Sequence, residues 1–165
     1  MMTLFLERRL SYEGDTIALG GALASRLRGG DFVALVGDLG AGKTTLARAL
    51  IQAFVGEAIE VPSPTFTLVQ LYSRHDTPTV LAPDAPAPLD LFHFDLYRLQ
   101  NSEEVWELGW EDIQAGIAVV EWPDRAGDYC PDTRLEIALS FESGGRVAHF
   151  SALNVKYWRD RLDGV

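Results

Sequence analysis

Phe32–Thr45, FVALVGDLGAGKTT, is the stretch from which the rest of the chain can be read. Its opening run, Phe32–Val36, is continuously apolar, the pattern of a strand covered on both faces. Then Gly37, Gly42, Lys43 and Thr44 fit G-x-x-x-x-G-K-[ST]. Glycines let a backbone curl until successive N–H groups face one concavity, here across Gly37, Asp38, Leu39, Gly40, Ala41 and Gly42. Thr44–Phe54 (TTLARALIQAF) carries helical apolar spacing. A helix starting at the loop favours negative charge at its N-terminus, where Thr44 and Thr45 lie. Strand, loop and helix together form a cradle for the phosphates of a nucleotide. Lys43 can reach the β- and γ-phosphates, and the Thr44 hydroxyl can ligate Mg²⁺.

A phosphate-bound Mg²⁺ needs carboxylate help from the end of a nearby apolar strand. Asp95 ends the run Leu91–Phe94, and Glu121 ends Ile117–Val120. Strand C-termini in a parallel sheet gather on the edge where ligands bind. Spacing does not decide which of the two acids touches the metal directly. Thr65, in the segment Ser63–Phe66 (SPTF), is either a γ-phosphate- or Mg²⁺-sensing hydroxyl or a polar residue in a proline-held turn. Trp122 either stacks on a ligand or partner or fills space. His93 either lies near the nucleotide through its neighbour Asp95 or, the plainer reading, is a satisfied core histidine. His75, His93 and His149 have no zinc-ligand spacing, and Cys130 has no signature of a nucleophile.

Around this centre the pattern is that of an α/β chain. Strands are expected over Thr3–Arg9, from Phe66 and Leu68 to Tyr72, and over Leu89–Tyr97, Gly116–Trp122, Arg134–Phe141 and Arg146–Leu153. The last two are joined by a hairpin turn at Ser143–Gly145. Thr16–Leu27 reads as a helix with Asp15 as N-cap, ended by Gly29-Gly30. Ser102–Leu108 reads as a short helix capped by Asn101 or Ser102. Residues 73–88, rich in Pro, Ala and Asp, suit an exposed loop. Helices and strands alternate first and antiparallel strands follow, which predicts one three-layer α/β domain over 1–165 with a mixed sheet: a parallel core and flanking antiparallel strands.

The composition narrows the function classes. The 165 residues are 47% hydrophobic and 23% charged, an ordinary globular balance. Net charge is -10, which repels a nucleic-acid backbone and favours a protein partner over direct nucleic-acid contact. One cysteine excludes an intrachain disulfide. No run approaches the roughly 18 apolar residues of a membrane span, so a cytoplasmic setting without membrane contact is expected.

GDLGAGKTT (Gly37–Thr45), SPTFTL (Ser63–Leu68), HFDLYRL (His93–Leu99) and VEWP (Val120–Pro123) occur in the order and rough spacing of the TsaE family, also called YjeE. The sequence resembles that family from about Asp15 to the GGRV of the last hairpin. The resemblance implies a P-loop ATPase required for N6-threonylcarbamoyladenosine in tRNA. It would work with TsaB and TsaD, which act on adenosine 37, so that tRNA is met only through the complex. It implies ATP and Mg²⁺ as ligands, with Lys43 on phosphate, Thr44 on Mg²⁺, and Asp95 and Glu121 around the metal and the attacking water. Thr65 becomes the switch-like threonine and Trp122 the tryptophan beside the site. Thr16 and the Gly145-Arg146 turn are placed by the resemblance near the nucleotide. The 73–88 stretch is an extension relative to shorter members.

A low intrinsic rate is expected, since neither the loop nor the Thr65 segment holds an arginine to stabilise the charge that develops; Arg98 is the exception to weigh. A small-molecule kinase and a non-catalytic ATP-sensing module are the alternatives. No base-reading signature separates ATP from GTP.

Overall fold

The computed structural model describes residues 1–74 and 88–165. Seven strands form one sheet: β1 (Thr3–Leu10), β2 (Phe32–Val36), β3 (Val69–Arg74), β4 (Leu89–Asp95), β5 (Ile117–Glu121), β6 (Leu135–Glu142) and β7 (Gly145–Ala152). Their order is β1-β7-β6-β2-β5-β4-β3. The centre is parallel, with β2 between β5 and β6 and β4 beside β5. Antiparallel strands finish both sides, β3 on β4 at one and β7 then β1 on β6 at the other. The expected parallel core with antiparallel flanks is what the chain forms.

Alternation along β2 builds the two faces. Val33 and Leu35 join a core with Leu23, Leu46, Leu50, Phe54 and Trp158, under the helices α1 (Glu13–Ala24), α2 (Lys43–Val55) and α3 (Val155–Arg161). Phe32 and Ala34 face the other way, into a core with Phe94, Val105, Trp110 and Val120. Three short 3₁₀ segments cover that second face: Ser102–Leu108, Trp110–Gln114 and Pro123–Tyr129. The aromatic edges of Phe32 and Phe94 both meet Trp110, with ring centroids 5.6 and 5.0 Å away.

α1 and α2 approach so closely that only glycine fits at Gly20. A Cβ there would lie 2.6 Å from the Ala49 Cβ and 2.7 Å from the Leu50 nitrogen. α1 also starts earlier than its apolar spacing suggests. Asp15 is not the N-cap but the third helical residue, and its carboxylate accepts from the Ser11 and Tyr12 amides ahead of the helix. β3 begins at Val69 rather than Phe66, because the preceding chain closes a turn in which the Leu68 amide donates to the Pro64 carbonyl. Leu68 then takes φ 67°, which no strand residue adopts. Of the stretch expected as a loop over 73–88, Ser73 and Arg74 belong to β3, and residues 75–87 lie outside the described residues.

The sequence reading overlooks α3. It is pinned by Arg161, whose guanidinium holds both carboxylate oxygens of buried Asp31, just ahead of β2. Asp31 also accepts from the Arg28 amide and the Tyr157 hydroxyl. The Asp31 bond keeps Arg161 protonated beyond the ordinary guanidinium range, against the opposing pull of burial.

Candidate functional site

The loop between β2 and α2 stands at the C-terminal edge of the parallel strands. Gly37, Gly40 and Gly42 adopt φ of 149°, 81° and 108°. Side chains rarely tolerate such values, and at Gly37 a Cβ would also lie 2.4 Å from the Leu139 carbonyl oxygen. Gly42 caps α2 with no side chain bonded to the helix N-terminus. The first-turn amides therefore keep their free direction toward whatever sits at the loop.

β4 and β5 deliver the acids. Asp95 and Glu121 are register partners at the ends of these neighbouring parallel strands, so both side chains leave the same face of the sheet. Both are buried, at 4% and 2% exposure. The Thr44 hydroxyl donates to Glu121 Oε2 at 2.9 Å. The Thr65 hydroxyl donates to Asp95 Oδ2 at 3.0 Å, and the Tyr97 amide donates to Asp95 Oδ1 at 3.1 Å. With its proton committed to Asp95, Thr65 accepts from the Ser63 hydroxyl at 2.7 Å. The α2 N-terminus and the Ser63–Thr65 turn are thus each tied to one strand-end acid.

Lys43 is buried in the same place. Its ammonium donates to the Gly37 and Asp38 carbonyls at 2.6 and 2.8 Å and lies 4.2 Å from the centre of the Trp122 ring. Burial lowers its pKa from the ordinary lysine value, while the charges of Glu121, Asp95 and Asp38 pull it back up. Trp122 holds φ 57° directly after β5 and meets Tyr97 with ring centroids 4.9 Å apart and planes tilted by 52°. The Arg146 guanidinium, from the start of β7, donates to the Gly40 carbonyl at 3.3 Å and lies over Phe141.

These groups surround one cavity of about 220 Å³. Leu39, Gly40, Gly42, Lys43, Thr44, Thr45, Thr65, Asp95, Glu121, Trp122 and Arg146 line it, so most of the candidate residues converge. Gly37 and Asp38 contribute carbonyls to Lys43, and Ala41 is buried beneath the loop. Thr16 is buried in α1 and is not part of the lining; Gly145 packs against the Leu10 backbone. Two residues were undervalued in the sequence. Ser63 lines the cavity. His93 is fully buried, with Nε2 2.9 Å from Glu121 Oε1. Its signal was the period of two that sets His93 and Asp95 on one strand face.

The donors offered to a metal are all oxygens: the hydroxyls of Thr44 and Thr65 and the carboxylates of Glu121 and Asp95. That chemistry suits a hard cation such as Mg²⁺. No three His, Cys, Asp or Glu side chains among the described residues converge to hold a metal by themselves. Among the described residues no helix is long and apolar enough to cross a membrane.

Comparison with known proteins agrees with this geometry. The family model described as threonylcarbamoyl adenosine biosynthesis protein TsaE matches residues 10–148. A tRNA threonylcarbamoyladenosine biosynthesis protein TsaE from Nostoc is 36% identical, over 88% of this chain and 85% of its own length. The protein of that name from Rickettsia bellii is 35% identical, over 84% of this chain and 89% of its own. The relative from Rickettsia felis is 38% identical, but the match spans only 61% of its length. The crystal structure of Bacillus subtilus YdiB superposes with a TM-score of 0.70 at 26% identity, covering 99% of this chain and 96% of that one. The fold is that of the P-loop NTPases, and the chain belongs to the TsaE family.

Proposed function

We propose that the protein binds and hydrolyses ATP in the making of threonylcarbamoyladenosine, acting on a TsaB–TsaD pair that modifies adenosine 37 of tRNA. One observation supports this above the others: Lys43 and Thr44 share a cavity with two buried strand-end carboxylates. The names of the TsaE relatives supply the pathway. With a net charge of -10, the chain meets tRNA through its partners rather than directly.

Lys43 binds the phosphates by exchanging the Gly37 and Asp38 carbonyls for phosphate oxygens, replacing neutral acceptors by charged ones. Thr44 and the Glu121 bonded to it would hold Mg²⁺, and Asp95 with Thr65 would orient the attacking water. Bound Mg²⁺ would offset phosphate charge. Trp122 forms the wall behind Lys43. Arg146 spends its guanidinium on the Gly40 carbonyl and Phe141; in this reading turnover of the isolated chain is slow and rises with TsaB and TsaD.

Steady-state ATP hydrolysis by the chain alone and with TsaB and TsaD tests this reading, together with pull-downs with and without ATP. Equal rates in both mixtures count against partner activation. Lys43→Ala should weaken ATP binding by roughly 10–100-fold, the worth of a charged hydrogen bond. An unaltered dissociation constant refutes the role given to Lys43.

A further inference from the structure

We infer that His93 is a positioning residue, which fixes the Glu121 carboxylate so that one oxygen faces Thr44. The inference rests on the reading of Glu121 as an acid of the Mg²⁺·ATP site. His93 is 0% exposed on β4 and pairs in register with Val119, one level below the Asp95–Glu121 pair. Nε2 lies 2.9 Å from Glu121 Oε1. On the reading of Glu121 as a carboxylate of the Mg²⁺ site it has no proton to give, which puts the hydrogen on Nε2 and makes the ring the donor. Nδ1 is buried with no hydrogen-bond partner among the described residues.

That arrangement is costly for the fold by itself. A leucine would fill the same space without burying an unpaired ring nitrogen. Among the described residues the ring's one polar partner is Glu121, and through it the imidazole acts on the site. Glu121 has two oxygens and two donors, His93 on Oε1 and Thr44 on Oε2. With both engaged, its flexible side chain has one orientation. Without His93, Oε1 is buried and unpaired, and the nearest remedy is to turn toward Lys43, whose charge Glu121 already feels. That turn would take the carboxylate from Thr44, and so from the side on which Mg²⁺ would be held. Partners of this kind, one bond removed from a metal site, typically affect affinity or activity by about 10–100-fold.

The test compares wild type with His93→Gln, which brings an N–H to nearly the same point, and His93→Leu, which fills the space without one. Binding of a fluorescent ATP analogue is titrated with Mg²⁺ and repeated in EDTA. His93→Leu should raise the half-saturating Mg²⁺ concentration by roughly 10-fold or more, with affinity in EDTA unchanged within about twofold. His93→Gln should return the Mg²⁺ requirement to within about threefold of wild type. Hydrolysis should fall in kcat more than in KM for the leucine variant. A wild-type Mg²⁺ requirement in His93→Leu overturns the inference, and so does an equal loss in both variants.

If His93→Leu does not fold, the glutamine variant and ¹⁵N NMR of the wild-type imidazole decide. The ring should be the Nε2–H tautomer, and its resonances should move in Glu121→Ala; an Nδ1–H tautomer overturns the assignment. Should wild type bind Mg²⁺·ATP without hydrolysing it, the hydrolytic reading fails. The Mg²⁺ titrations and the tautomer then still judge His93.

Discussion

Gly20 and Gly21 are neighbours in the interior of α1, yet alanine should have opposite effects at the two positions. At Gly21 a Cβ would have nothing within 4 Å. Alanine there only removes backbone freedom from the unfolded chain and improves helix propensity, so Gly21→Ala should stabilise by about 0.5–1 kcal/mol. At Gly20 the same methyl would sit 2.6 Å from Ala49 Cβ and 2.7 and 2.8 Å from Leu50 N and Ala49 C. Ordinary contacts begin near 3.5 Å, so the helices must part by roughly 1 Å. Two of the three obstacles are backbone atoms of α2, which cannot rotate aside. Overpacking of this kind costs about 1–3 kcal/mol, less the small gain in propensity. For a chain of this length each kcal/mol corresponds to about 2–4 °C. Gly20→Ala should therefore lower Tm by roughly 1–10 °C, whereas Gly21→Ala raises it by about 1–4 °C. α2 carries Lys43 and Thr44 at its N-terminus, so Gly20→Ala should also weaken ATP binding. Thermal and urea unfolding with an ATP-analogue titration read all of this. If Gly20→Ala stays within about 0.5 kcal/mol of wild type, the rigid helix contact argued here is wrong.

Arg161→Ala should destabilise by about 3–5 kcal/mol in urea unfolding, because it strands the Asp31 carboxylate in a buried site; Asp31→Asn with Arg161→Ala should cost less than the arginine change alone. Burial pushes the Cys130 thiol up to about 11, with Asp124 and Glu136 adding to it and Arg134 opposing. At pH 8 roughly 0.1% is thiolate, against about 10–25% for an ordinary cysteine. Iodoacetamide should thus label the native protein about 100-fold more slowly than a free thiol, with a rate rising about tenfold per pH unit up to pH 10. Labelling at the free-thiol rate would show Cys130 to be accessible and unperturbed.

The fold was legible where the determinants are local. The apolar run Phe32–Val36, the glycines after it and the helical spacing beyond need only near neighbours, and β2 and α2 fall within a residue of expectation. Asp95 and Glu121 were readable as strand-end acids for the same reason. What failed to show depended on distant residues. α3 has only the seven residues Val155–Arg161, too few to display a period, and it is held by Asp31 from across the chain. The 3₁₀ segment Pro123–Tyr129 follows from Trp122 turning the chain, which no residue preference predicts. His93 looked like a core histidine, and it is one. Its partner Glu121 is 28 positions away and meets it only through the β4–β5 register.

Trp122 carries a conflict that restricts what can replace it. Its φ of 57° is a conformation that glycine or asparagine accepts cheaply and that costs a bulky side chain about 1–2 kcal/mol. Its ring is also the surface on which the Lys43 ammonium rests. Glycine or asparagine would relax the backbone but offer no π face, whereas phenylalanine or tyrosine would keep a face but not relieve the backbone. No residue of the standard set satisfies both demands, so this position is held by a compromise, and changes there trade resilience of the fold against the seating of the Lys43 ammonium.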